Sequence, residues 1–273
     1  MAQTQKHYES LEALLATQNN RIIRGGGYGR SPSTREGSKR NDWSGTASLE
    51  EAFSLARNGW KEGRANISNA LNVAHAVTKN SNAPNQSLDV AGAFPFIPAA
   101  VAGDPMNMWS PNPADIKTKP VIRLYHNICY SAVVPAKNIT NIGGAMLGVV
   151  DQLESSGFRT EIVAYWGSYE ALITVLLKEA SEPLNLDALA FPMAHPAMLR
   201  RINFFIRESE PTLPWEGVGM GYPKTIEPEF VLPNSVVIPA NIGGNEGATV
   251  EGAVAYIQRL VKASPWGDAI TFE

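Results

Sequence analysis

The stretch that most limits how this chain can fold is residues 120–166. It reads PVIRLYHN, ICYSAVVPAKNITN, IGGAMLGVVDQLESSG and FRTEIVAYW: an apolar run, a polar loop, an amphipathic segment with a glycine stop, and a second apolar run. In the amphipathic segment Ile142, Ala145, Met146, Val149, Val150 and Leu153 recur at helical spacing. A strand–helix–strand unit of this kind closes right-handed and builds a parallel sheet. The fold class therefore reads as α/β, a Rossmann-type, mostly parallel sheet flanked by helices, with the rest of the chain extending or decorating it.

Upstream, residues 8–18 read as a short helix with Leu11, Leu14 and Leu15 on one side. Ser48 with Glu51 three residues on forms a capping box, Leu49, Ala52, Phe53 and Ala56 follow at helical spacing, and Gly59 stops the run. A second helix over 64–77 carries Ile67, Ala70, Leu71 and Ala74, and the two are expected to form a hairpin. Residues 88–119 hold five prolines, which forbid a long helix and predict an irregular wrap with LDVAGAF as a strand. Downstream, residues 170–180 read as a helix through Leu172, Ile173, Leu176 and Leu177, and LDALAF as a short strand or turn. HPAMLRRINFFIRE reads as a helix opened by Pro196. After a long connection, SVVIP is a strand and residues 250–261 the last helix. The expected division is a helix and basic arm over 1–42, a helical hairpin over 43–86, a Pro-rich wrap over 87–119 and the α/β domain over 120–273.

With 44% hydrophobic and 18% charged residues among 273, the composition is that of a soluble globular protein. No apolar run approaches the eighteen or so residues that span a bilayer, and the N-terminus lacks the features of a signal peptide. Cys129 is the single cysteine, so an internal disulfide and a thiolate metal cluster are both excluded. The expected location is the cytoplasm, with no membrane partner. The net charge of −3 hides an asymmetry: residues 21–40 carry six cations against one acid, +5, which leaves −8 for the remainder. That arm, rich in glycine and serine, cannot bury enough apolar surface to offset its ordering entropy and is expected to be flexible when free. Its cations and one aromatic ring (Arg21, Arg24, Tyr28, Arg30, Arg35, Lys39 and Arg40) suit backbone phosphates plus a stacked base, and are the candidate nucleic-acid contacts.

Candidate chemistry elsewhere is sparse. His126 and Cys129 lie at the end of the first strand of the unit, where ligands sit in open α/β sheets, yet no glycine elbow or oxyanion turn accompanies a nucleophile there. His195, Arg200 and Arg201 cluster at a helix start; they suit a phosphate, or a helix cap with pairing to Glu208 or Asp187. Asp151 and Glu154 fall off the apolar stripe of their helix, and Glu161 sits in a strand within reach of Arg159 or Arg123; with Glu170 these make no acid/base pair. Asn-Ile-Gly-Gly occurs at 141–144 and 241–244, each time between an expected strand and helix. The two readings are an anion held by helix N-termini and close helix–sheet packing.

The unit from residue 120 resembles a von Willebrand factor A-like domain. In that fold the first strand ends in Asp-x-Ser-x-Ser, whose oxygens hold a divalent metal together with a threonine and an aspartate from later loops. The matching positions here are Asn127, Cys129 and Ser131, and only Ser131 keeps the family residue. The resemblance thus implies a degenerate metal-ion-dependent adhesion site with no metal and no cofactor, since a neutral amide and a thiol are poor ligands for a hard dication. Residues 43–63, 89–108, 141–162 and 186–201 further resemble successive blocks of an uncharacterised family of tailed bacteriophages and mobile elements. That resemblance implies a viral gene product in a host bacterial cytoplasm. Together these features favour a non-enzymatic binding protein, an accessory factor in viral transcription or replication that engages single-stranded DNA through residues 21–40. The alternatives are an adaptor or virion-assembly component with a viral or host protein partner, and a Cys/His-dependent enzyme.

Overall fold

The strand–helix–strand unit expected over 120–166 forms, and the chain on either side supplies three more strands to the same sheet. The structure, a computed structural model, describes residues 3–24, 31–37, 42–76, 86–91, 94–111, 120–168, 170–214, 223–239, 245–270 and 272. Its first half holds β1 (Thr4–Tyr8), α1 (Leu11–Leu15), α2 (Leu49–Asn58), α3 (Gly63–Ala76), β2 (Gln86–Asp89), β3 (Phe94–Pro95), α4 (Ile97–Val101) and β4 (Met108–Pro111). The second half holds β5 (Val121–Asn127), α5 (Ala136–Ser155), β6 (Arg159–Gly167), β7 (Ala171–Lys178) and α6 (Leu186–Ala194). A π-helical stretch (Met198–Asn203), α7 (Phe204–Ser209), β8 (Ser235–Ile238) and α8 (Val250–Lys262) complete it.

The main sheet runs β1–β7–β6–β5–β8. β5 pairs in parallel with β6 and with β8, β1 pairs in parallel with β7, and only β6 and β7 meet antiparallel. The body is therefore mixed α/β with a mostly parallel sheet. Two strands of this sheet depart from expectation. Residues 171–178, read as a helix, are the strand β7; flanked by β6 and β1, most of its side chains are covered, so it lacks the alternation that marks a half-exposed strand. Residues 4–8, assigned to a separate N-terminal segment, form the edge strand β1 of the same sheet.

Helix α5 is the centre of the layering. Its large apolar side chains, Ile142, Met146, Val149 and Leu153 among them, are buried, and so are Gly143, Gly144 and Gly148. The glycines make room for other helices. A Cβ at Gly143 would overlap the Met193 carbonyl oxygen and Ala194 Cα of α6. One at Gly148 would lie 2.9 Å from the Ala70 carbonyl of α3. Helix α5 thus sits between the sheet and α3, with α6 and α8 beside it. The first Asn-Ile-Gly-Gly is inside this helix and not at its N-terminus, because helical geometry begins just after Pro135. Its glycines do serve close packing, against helices. Asn141 donates to the Gly247 carbonyl at 2.9 Å, tying α5 to the turn before α8. The second copy, 241–244, lies outside the described residues.

The capping box at Ser48 forms: Ser48 Oγ accepts from the Glu51 N–H at 3.1 Å, and the Glu51 carboxylate accepts from the Ala47 N–H at 2.6 Å. The expected hairpin does not. Helix α3 packs on α5, whereas α2 packs on the π-helical stretch and α6, so each leans mainly on the body and not on the other. LDALAF is helical, opening α6 behind the Asn185 cap. Residues 86–111 make their own antiparallel sheet, β2–β4–β3, instead of a wrap, and none of their described residues belongs to either hydrophobic cluster.

Because the atoms facing Gly143 are main chain, they cannot swing aside. Gly143→Ala is expected to lower unfolding free energy by about 1–3 kcal/mol. Gly144→Ala, whose Cβ meets the Ala70 methyl at 3.3 Å, loses less. Urea denaturation of both variants checks the ranking, and equal losses would contradict this packing.

Candidate functional site

The most unusual chemistry lies on the buried stretch 198–209, where Arg200, Arg201, Arg207 and Glu208 are all fully shielded from solvent. Charged side chains are rarely buried without partners that satisfy them. Here backbone carbonyls supply much of that satisfaction. Arg200 donates to the carbonyls of Trp43 at 2.6 Å and Val134 at 2.8 Å, with its guanidinium 4.3 Å from the centre of the Trp43 ring. Arg201 donates through Nη1 to Ser33 and Arg35, at 2.8 and 2.9 Å, and through Nη2 to Thr46 and Ala47, at 2.9 and 3.2 Å. Burial pulls the Arg201 guanidinium below its ordinary value, while Glu36, Glu51 and Glu50 oppose that pull; an arginine so placed stays charged. Arg207 donates to Pro214 O at 2.6 Å and lies 4.8 Å from the Trp166 ring centre. The Glu208 carboxylate accepts from the hydroxyls of Ser31 and Ser33 and from the Ser33 N–H.

These contacts fasten part of the basic arm to the body. Arg24 belongs to the same set: its guanidinium donates to the carbonyls of Leu213 and, at 2.9 Å, Pro211. Arg21 and Arg35 have exposed side chains, and Tyr28, Arg30, Lys39 and Arg40 lie outside the described residues. Glu208 and Asp187, expected to pair with the His195 cluster, have other recorded partners: Glu208 binds the serines, and Asp187 faces Arg64 at 3.4 Å. The carbonyl contacts of the arginines left no mark in the sequence, because acceptors on irregular backbone carry no residue signature.

At the C-terminal end of β5, Asn127, Cys129 and Ser131, the positions expected to match a metal site, lie in a turn. Asn127 Oδ1 accepts from the Cys129 N–H at 2.6 Å, and Asn127 Nδ2 donates to the Lys224 carbonyl at 3.2 Å. The Lys224 N–H in turn donates to the Gly167 carbonyl at 3.0 Å, so the main chain at 224 lies across the ends of β5 and β6. The Ser131 carbonyl receives a weak bond from Arg200 at 3.4 Å. Tyr130, Tyr165 and Tyr256 surround the turn. Burial pushes the Tyr130 phenol upward, with Tyr165, Tyr256 and Cys129 adding to it. Burial raises Tyr165 to about 12 against opposing hydrogen bonds from Asn127 and the Ile226 backbone. Both phenols are neutral near pH 7. Among the described residues no group of three or more His, Cys, Asp or Glu side chains is placed to hold a metal ion.

The remaining candidates lie apart, on the sheet and its flanking helices. Glu161 pairs with Arg123 across β6 and β5, and this hydrogen bond raises the arginine's pKa. Glu154 meets Lys178 at 2.7 Å, and Asp151 meets the His75 ring at 2.6 Å. Glu170 is exposed, and its carbonyl accepts from the Thr4 N–H at the start of β1. Cys129 is fully buried, which is the setting of an inert thiol. His195 is packed between Trp60 and Phe191 and caps its helix, Nδ1 accepting from the Ala197 N–H at 3.0 Å. His126 is fully buried on the helical face of β5, and neither ring nitrogen makes a hydrogen bond of good geometry.

Burial lowers both histidines to about 4, with the Met193 backbone pulling His126 slightly the other way. Since the unfolded chain protonates near 6.5, it binds protons first as pH falls. Stability contributed by the neutral rings is complete above that pH, declines through the interval from 6.5 to 4, and is lost below it. Each ring is expected to account for a loss on the order of 3 kcal/mol. Urea midpoints across this range should fall, and His126→Leu should remove about half of the fall. An unchanged slope in that variant would contradict a buried neutral His126.

No curated protein and no solved structure matches the chain. A family model does, and it runs from the residues before β1 almost to the end of α8, the span needed to close the sheet and seat its helices. The chain belongs to the family described as Domain of unknown function (DUF7192), whose model matches residues 2–260.

Proposed function

We propose that this chain is a non-enzymatic binding protein that engages single-stranded nucleic acid through residues 21–40, borne on a von Willebrand factor A-like body whose cation site has decayed. The observation that carries the reading is the way Arg201 holds the arm. It takes the Ser33 and Arg35 carbonyls while the Arg35 side chain stays exposed. Peptide oxygens are turned inward and a cation outward, which is the polarity a phosphate-binding segment needs. Two features of the body favour binding over catalysis. The crevice at the ends of β5 and β6, the usual ligand position of an open sheet, is crossed by the chain's own backbone at Lys224. The phenols beside it are neutral near pH 7 and the thiol is buried. The setting proposed is an accessory role in viral transcription or replication in a host bacterial cytoplasm. No helix among the described residues is long and apolar enough to cross a membrane.

A second reading, a protein–protein adaptor or assembly component, has one observation in its favour. Val90, Ile97, Val101 and Met106, on or beside the small sheet, are at least half exposed, and apolar patches of this kind mark contact surfaces.

Arg24 is engaged by carbonyls, which leaves Arg21, Arg30, Arg35, Lys39 and Arg40 as the five proposed phosphate contacts. Fluorescence anisotropy with a short labelled oligonucleotide should give a log–log salt slope of about −3.5 at about 0.7 per phosphate. Neutralising all five should abolish both the affinity and the slope. Undiminished binding by that variant would remove the arm from the mechanism, and capture of a protein resistant to nuclease and high salt would favour the adaptor.

A further inference from the structure

We infer that Arg201 and Glu208 are positioning residues for the basic segment, dividing what would be one long loop between α1 and α2 into shorter spans pinned to the body. The ligand named here rests on the nucleic-acid reading; the tethering does not. Glu208 acts twice. Its main-chain carbonyl accepts from the N–H groups of Ile23 and Arg24 at 3.0 and 3.2 Å, and its carboxylate accepts from Ser31 and Ser33. One residue therefore fixes both ends of the span between 24 and 31. Arg201 does the same for the next span, holding Ser33 and Arg35 with one nitrogen and Thr46 and Ala47 with the other. Arg200 adds a third point at Trp43. The cations at 30, 39 and 40 fall in sequence between these anchors, and residues 25–30 and 38–41 lie outside the described residues.

Tethering a charged segment at both ends shrinks the conformations it must give up on binding a polyanion. Arg201 and Glu208 are themselves buried, so they touch no phosphate. Their loss should weaken binding without changing how many counterions are released. A cation on the arm behaves differently: removing one lowers both the affinity and the slope. These opposite signatures separate a residue that positions from one that contacts.

The test compares full-length wild type with Arg201→Met, Glu208→Gln, the pair Ser31→Ala/Ser33→Ala, and Arg35→Gln. Labelled oligothymidylate anisotropy is measured over a series of salt concentrations, with trypsin cleavage after Arg35 as a second readout, since Arg201 holds that peptide carbonyl. The three positioning variants should bind about tenfold more weakly with the wild-type salt slope, and cleavage after Arg35 should accelerate. Arg201→Lys should not restore binding, because an ammonium cannot bridge two pairs of carbonyls. Arg35→Gln should lower the slope by about 0.7. The serine pair alters only the arm, so it carries the test if a core variant does not fold. Affinity and cleavage within twofold of wild type in the serine pair would overturn the inference, as would a slope that falls together with affinity. Wild-type protein that binds no oligonucleotide would sink the nucleic-acid reading instead, and the cleavage rates alone would then decide whether the arm is tethered.

Discussion

Helix α5 has almost no side left for water, and that constraint organises the molecule. A helix buried all round needs covering layers on opposite faces. Large apolar side chains meet one layer, and glycines admit the backbones of α3 and α6 at the other. The close approach at Gly143 fixes where α6 ends, because Met193 and Ala194 rest directly on it. His195 then caps the following turn from between Trp60 and Phe191. The position of the charged stretch 198–209 is thus set by an absent Cβ some fifty residues earlier in the chain.

That charged stretch solves two problems with one set of contacts. Buried guanidinium groups need acceptors, and irregular backbone that leaves solvent needs donors. Residues 31–47 and 131–134 include such backbone, and their carbonyls take the forks of Arg200 and Arg201. Replacing one fork by an apolar side chain would strand several carbonyls together, which is more damaging than losing a surface ion pair. Buried arginines add little net stability in general, but they can specify one arrangement of chain over others. Here the arrangement specified is the seating of residues 31–35 and 43–47 on the body.

How much of this was legible in the sequence depended on whether a segment had an exposed face. The β5–α5–β6 unit, the Ser48 cap and α8 were readable because their polar and apolar positions alternate with a clear period or their cap residues are distinctive. Strand β7 and helix α6 were not: both are short, and apolar side chains dominate each, so periodicity could not tell strand from helix. The start of α5 was missed because its polar first turns, AKNITN, look like a loop until Asn141 is seen donating to the turn before α8. Strand β1 carries Gln, Lys and His on a sheet edge, where such residues are favoured but not diagnostic. Of the site, Arg200 and Arg201 were marked as a cluster, whereas their carbonyl partners had no side-chain identity to reveal them.

The C-terminal ends of the central strands are closed by the chain's own backbone. At the C-terminal ends of β5 and β6, Asn127 joins its own turn to the main chain at Lys224. An aspartate at 127 could make the same bond to the Cys129 N–H but could not donate to Lys224, so the amide suits a closed turn better than a cation site would. This connection lies where ligands ordinarily sit in an open sheet. The cations of this otherwise acidic chain are concentrated outside the sheet, in residues 21–40. Residues 198–214 and 223–231 pack the body with backbone contacts: the buried charges of Arg200, Arg201, Arg207 and Glu208 are engaged there by carbonyls and serines, while Arg21 and Arg35 of the basic segment keep exposed side chains at its margin.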